Sequence, residues 1–424
     1  MRKTGKLKND PPVKPVRSIQ VPIKVTKKKV LLIAVLLAVG VALIVWAVSS
    51  FLTTPKGWQE IEPPANLENT CVYEFSLRYL IGESDQKANR EKNAITELYV
   101  DAAGKAYHIF GEHESKDVKN IYYINHHVGE AVQVDPALYN ALSLLAKEEN
   151  RALYLGPIYE NHRALLGCED GEDIWAEEYD PVRNDEVAAM YEELLVFIQD
   201  PEHVNLELLG NNQVRLNVSE EYKKYIQDNG FEKFIALDWM RNAFVTDYIA
   251  DTLIAKGYRN GILASYDGFI RNLGNPGQTL EYAIFDGTVS RNYRVATMQH
   301  TGVGAMVWLR DYPISMDDLE TDYFVWETGK VYTARLDSAD GRSRSACSDY
   351  VAYSRSLNCA QILVQSMDVY IADKLDWDLV RELPGAGVEF VIVYDSTLYA
   401  SDKKVTFSNL EYGEPEYDLP GGAE

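Results

Sequence analysis

The sequence predicts an α+β domain with a mixed sheet, carried on a single transmembrane helix near the N-terminus. Three observations lead there. Residues 30–52 (VLLIAVLLAVGVALIVWAVSSFL) are apolar and uncharged. Beyond them, helix-like and strand-like stretches mix without regular alternation, which favours α+β over a doubly wound sheet. The rest of the chain, about 370 residues, is long enough for a large core and shows no internal repeat.

The apolar run is long enough to cross a bilayer as a helix with slight tilt. Its lack of charge is what hydrocarbon demands. Trp46 stands near its outer end, where an amphipathic ring suits the interface. Residues 1–29 hold ten Lys or Arg and one acid, Asp10, whereas Lys56 stands alone after the run. The positive-inside rule therefore places the basic tail in the cytoplasm and the remaining chain outside it. A cleaved signal peptide fits less well, because the run exceeds a usual h-region and no A-x-A site follows.

Residues 53–70 read as a Pro-bearing linker, 71–410 as the extracytoplasmic domain and 411–424 as an acidic, Gly-containing tail. Within the domain, 71–80 is apolar and β-prone, and 87–100 is helix-prone. Asp135-Pro136 is a helix start: an N-cap acceptor, then proline where its missing N–H costs nothing. Leu138, Leu142 and Leu145 follow at helical spacing. A second helix is expected over 185–197, with Val187, Met190, Tyr191, Leu194 and Ile198 on one face. A third covers 243–256 and stops at Gly257. Strands are expected at 261–264, 294–298, 305–309, 349–354 and 388–394, with a helix over 358–372 between the last two.

Charge narrows the function. The chain totals −22 and the tail supplies +9, leaving −31 for the rest. That excludes nucleic acid and anionic lipid surfaces as natural ligands of the domain. Cys71, Cys168, Cys347 and Cys359 are even in number and permit three pairings, or none if they serve as small apolar core residues. Without a CxxC there is no zinc or redox signature. His126 and His127 are adjacent, so they diverge on any regular element. The acids Asp311, Asp317, Asp318, Glu320 and Asp322 lack calcium-loop spacing and read as a solvated loop. Asn217-Val218-Ser219 has the form of a glycosylation sequon, which has meaning only in a eukaryotic secretory pathway.

The most informative stretch is 244–274, FVTDYIADTLIAKGYRNGILASYDGFIRNLG. It reads as a helix ending at glycine, a strand, and a tight Asp267-Gly268 turn whose amides could approach a ligand. It resembles a segment of the ApbE family, the flavin transferases that move FMN from FAD to a protein threonine. Asp247 matches the family acid. Ser265, Asp267 and Gly268 stand at its N-x-G-G-D region, and Arg271 and Gly274 match the end of the pattern. Ile124-Asn125 with Gly129, residues 154–158, the 329–341 loop (GKVYTARLDSADG), 349–364 and 388–401 continue the likeness in order.

The resemblance implies an ApbE-like fold, FAD as the candidate cofactor, and Asp247, Ser265, Asp267, Gly268, Asp337 and Gly341 as cofactor-binding residues. It also shows what is missing. Asn242-Ala243 replaces a Lys-Gly, Ala334 replaces the loop histidine, and Cys359 and Leu363 occupy the positions of two magnesium ligands. A thiol and a hydrocarbon supply none of the hard oxygen donors that magnesium needs. No catalytic or metal-binding residue is therefore assigned. The expected protein is a non-catalytic flavin or nucleotide binder, or a scaffold for another envelope protein, anchored in the cell membrane with its N-terminus cytoplasmic. Two alternatives stand beside it. One is an active magnesium-dependent FAD:protein FMN transferase, with Asp337, Asp340 and Asp349 supplying oxygens. The other is a cell-surface interaction module.

Overall fold

A computed structural model describes residues 27–52, 55–83, 87–146, 151–168, 173–274, 279–288, 291–313 and 322–421. Most of the basic tail, and Asp317, Asp318 and Glu320 of the acidic loop, lie outside these residues. The chain divides into two compact units, Met1–Thr54 and Pro55–Glu424.

In the first unit Lys27–Leu52 is one α-helix. Among the described residues no helix is long and apolar enough to cross a membrane.

The second unit is built on an eight-stranded antiparallel sheet. Its order is Gly57–Glu60, Phe75–Ile81, Gly261–Ser265, Phe269–Asn272, Ala305–Arg310, Asp349–Ser354, Glu389–Tyr394 and Thr397–Ala400. The pleat sorts its side chains with period two. Tyr350, Ala352, Phe390 and Ile392 enter the larger core, while Val351, Tyr353, Val391 and Val393 enter a smaller one. Burial on both faces explains why these strands read as continuous apolar runs.

The larger core lies beneath helices Ala88–Ile109, Arg241–Ala255 and Cys359–Tyr370. The smaller is closed by a second sheet of Thr279–Thr288, Arg291–Thr301 and Thr406–Ser408, which contributes Ile284, Val295 and Met298. Strands and helices in this arrangement are the expected α+β class, but the main sheet is antiparallel throughout rather than mixed, as short turns such as 266–268 and 395–396 can join only antiparallel neighbours.

Several expected elements shift. Gly57–Glu60, inside the stretch read as linker, pairs with Phe75–Ile81 as an edge strand. Residues 72–74 form a 3-10 turn before that strand, so the β-prone run begins late. The helix expected over 87–100 continues to Ile109, because Ala102, Ala103 and Ala106 fit tightly against the core. The Val204–Gly210 and Gln213–Val218 hairpin was not foreseen. Its turn is Asn211-Asn212 at φ 49° and 57°, the left-handed pair that a two-residue hairpin requires. Asp135 caps Pro136–Leu145 as read, accepting from the Ala137 amide at 2.8 Å.

The four cysteines are free, with Cys71, Cys347 and Cys359 buried. His126 and His127 each turn Nδ1 onto a carbonyl of their own helix, of Tyr122 and Tyr123, at 2.8 Å.

Candidate functional site

The Gly261–Ser265 strand and the Phe269–Asn272 strand are joined by the Tyr266-Asp267-Gly268 turn. Ser265 holds this turn: its hydroxyl accepts from the Phe269 amide at 2.9 Å. Gly268 has φ 108°, and a Cβ there would lie 2.0 Å from the Trp308 carbonyl oxygen. The backbone that comes close to Gly268 is therefore protein, not ligand. The Trp308 amide donates to the Gly268 carbonyl at 2.8 Å, fixing the turn on the neighbouring strand.

The turn forms one wall of a cavity of about 550 Å³. Tyr73 and Glu74 line it from the start of the domain, Glu112 and His113 from beyond the Ala88–Ile109 helix, and Asp238, Trp239, Arg241 and Asn242 from the start of the Arg241–Ala255 helix. Arg163 and Asp322 complete the wall.

Its charges are largely committed. Arg163 donates to Asp238 at 2.7 Å and to Asp322 at 3.0 Å, and Arg241 pairs with Glu74. Glu112 accepts from the Leu237 amide at 2.7 Å and pairs with Lys233 at 2.8 Å. These bonds hold Asp238 at φ 43°, a left-handed conformation that costs a non-glycine residue about 1 kcal/mol or more.

Asp267 differs from these acids. Its Oδ1 is enclosed and has no hydrogen-bond partner among the described residues. Burial pushes its carboxyl up to about 6, with Asp322 and Glu74 acting in the same sense and Ser265 and Arg335 opposing. His113 Nε2 is likewise enclosed without a partner, and burial lowers that imidazole from its ordinary value.

Asp247 lies elsewhere. It is 6% exposed, and its two oxygens accept from the amides of Cys359 and Ala360 at 3.0 and 2.9 Å. Arg271 pairs with it at 2.5 Å. Burial raises its carboxyl, against Arg271 and the two amides. The acid thus occupies the N-terminus of the Cys359–Tyr370 helix, beside the Asn358–Gln361 capping box, where helix amides favour negative charge.

Cys359 and Leu363 on that helix are fully buried in the core. The Cys359 thiol donates to the Ile270 carbonyl at 3.3 Å, and burial raises it well above its ordinary value, so it stays neutral. A neutral thiol and an isobutyl group do not fit magnesium, and the two nearest helix amides are already used by Asp247.

Asp337 and Gly341 lie in a third environment. Asp337 pairs with Arg344 at 2.8 Å and accepts, through its carbonyl, from the Gly341 amide at 2.8 Å. Gly341 lines a separate cavity of about 190 Å³ with His162. Arg335, on the same loop, links it to the turn, donating to the carbonyls of Arg310 at 3.1 Å and Asp267 at 3.5 Å. Ala334 is buried, and its amide donates to the Asp322 carbonyl at 3.0 Å. His162 Nε2 donates to the Thr333 carbonyl at 2.8 Å, and burial lowers its imidazole to about 4. That imidazole is neutral, bonded and outside the larger cavity.

Of the six residues implied by the resemblance, Asp267 lines the large cavity, and Ser265 and Gly268 shape its wall. Asp247 supports the helix beneath, while Asp337 and Gly341 belong to another surface. Glu112, Arg163, Asp238 and Trp239 escaped the sequence reading. They come from distant segments with no shared motif, and the run Asp238-Trp239 before a helix was the one local signal.

No family model and no curated protein matches this sequence. Solved structures do. The ApbE protein of Thermotoga maritima superposes with a TM-score of 0.52 at 16% identity, covering 84% of this chain and 97% of that one. The flavin transferase ApbE of Vibrio cholerae gives a TM-score of 0.50 at 14% identity, covering 82% and 98%. At such identities the likeness speaks for architecture alone, and by architecture this chain has an ApbE-like fold.

Proposed function

We propose that this chain is a membrane-anchored, extracytoplasmic protein that uses the ApbE-like fold as a non-catalytic binding module. The observation that carries the reading is the position of Cys359 and Leu363. Both side chains are enclosed in the core near the start of one helix, at the positions where the resemblance implies oxygen ligands. With no donors for a cation, the charge that develops on a transferring pyrophosphate has no counter-charge there. Five carboxylates and two already-paired arginines line the large cavity, so a pyrophosphate does not fit it either. The anchor rests on the uncharged run 30–52 and the ten basic residues before it.

The test uses the full-length chain in detergent, titrated with FAD with and without magnesium and followed by flavin absorbance and fluorescence. No magnesium-dependent FAD binding is expected. The triple variant Cys359→Asp, Leu363→Thr, Ala334→His is expected to gain it. Magnesium-dependent binding by the unaltered protein would replace this reading with an active FAD:protein FMN transferase.

A further inference from the structure

We propose that the large cavity beside the Asp267 turn receives a positively charged group, a primary amine or guanidinium on an apolar stem. The inference deepens the non-catalytic reading and rests on it. Its first support is charge. The cavity wall holds five carboxylates; Arg163, Arg241 and, from behind, Lys233 pair with four of them, whereas Asp267 has only the Arg335 guanidinium on its carbonyl and no ion pair among the described residues. Its second support is an unmet acceptor. Asp267 Oδ1 is enclosed at this wall without a donor among the described residues, and an enclosed carboxylate oxygen without a donor is costly unless something supplies one.

The third support is the apolar part of the lining. Tyr73, Trp239 and Tyr266 share the cavity with that acid. Aromatic faces beside a carboxylate are the combination that binds ammonium and guanidinium groups, the rings taking the stem and the acid taking the charge. An anionic ligand would meet the same wall with the opposite sign. Burial, Asp322 and Glu74 disfavour the ionised form of Asp267 against Ser265 and Arg335, so a bound cation stabilises it, and binding should strengthen as pH rises through about 6.

The chemistry has two sources, a free polyamine or a side chain of another protein, and the experiment separates them. Full-length protein in detergent is titrated at pH 8 with spermidine, with the peptide acetyl-Gly-Gly-Lys-Gly-Gly-amide, and with FAD as the anionic control, read by calorimetry and tryptophan fluorescence. Saturable binding of spermidine or of the peptide is expected, at least tenfold weaker at pH 5 and at least tenfold weaker in Asp267→Asn. Asp267→Asn keeps the shape of the side chain, and an unchanged melting profile would show that its fold is intact. Glu220→Gln, on an exposed helix outside the cavity lining, should bind as the parent does. Equal binding by Asp267→Asn overturns the proposal, as does failure of both cations to bind. If FAD binds only with magnesium, the non-catalytic reading falls as well. If neither FAD nor a cation binds, this inference alone falls.

Discussion

Asp247 and Gly268 both stood out in the sequence as cofactor-binding candidates, and the structure gives each of them contacts within the protein. Asp247 was aligned with a ligand-binding acid, yet its carboxylate closes a helix N-terminus and an ion pair with Arg271. Truncating it leaves Arg271, whose side chain is 12% exposed, with only the exposed Asp251 at 3.0 Å. Asp247→Ala is therefore expected to cost about 3–5 kcal/mol, measured by chemical denaturation. A loss below about 1 kcal/mol would show that the pair is not structural. Gly268 was read as a glycine that lets a ligand approach. The structure gives the approach to Trp308, whose carbonyl leaves no room for a Cβ. Gly268→Ala combines that clash with a positive φ and should cost about 3 kcal/mol or more. A melting temperature equal to the parent's would refute the geometry of the turn.

At the scale of elements, caps were the most legible features, because they are local. The Cys359–Tyr370 helix starts with Asn358, whose side chain accepts from the Gln361 amide while Gln361 reaches back. Asn358→Ala should cost about 1 kcal/mol, seen as a lower denaturation midpoint with unchanged slope.

Strand Asp349–Ser354 carries a different kind of information. Asp349 is fully buried and accepts from the Phe285 amide at 2.9 Å, from the Tyr312 hydroxyl at 3.0 Å and from the Trp308 indole. Burial nonetheless raises its carboxyl to about 7. The folded protein then holds a proton that the unfolded chain loses near the ordinary carboxylate value. The stability this group contributes is complete below about 4 and is lost as pH rises to about 7. The denaturation midpoint should therefore fall between pH 5 and pH 8, and Asp349→Asn should reduce that fall. An identical pH dependence in the variant would reject the assignment. Nothing local in the sequence marks this burial, since the partners come from two other segments, 279–288 and 305–312.

For the whole molecule, orientation in the membrane is the property most directly open to test. The basic residues before the apolar run motivate a cytoplasmic N-terminus. In a Cys168→Ser background, a thiol reagent that cannot cross membranes should reach Asn66→Cys in intact cells and spare Ser18→Cys. The reverse labelling would invert the topology, and recovery of a chain beginning just after Thr53 would remove the anchor.

The sequence by itself determined the class of fold, most long helices and the central strands. Those depend on hydrophobic period, caps and glycine stops, which a short window contains. It also showed a thiol and a hydrocarbon, Cys359 and Leu363, at the positions where the resemblance implies oxygen donors, because side-chain chemistry is readable one residue at a time. Only the tertiary structure decided which residues share a cavity. Asp267 meets Glu74, Glu112, Asp238 and Asp322 because antiparallel pairing and helix packing bring segments together that lie far apart in the chain. The same pairing carries Asp337 and Gly341 to another surface. Burial, the unmet acceptor at Asp267 and the sign of the cavity wall are sums over those distant neighbours, so no window of sequence contains them.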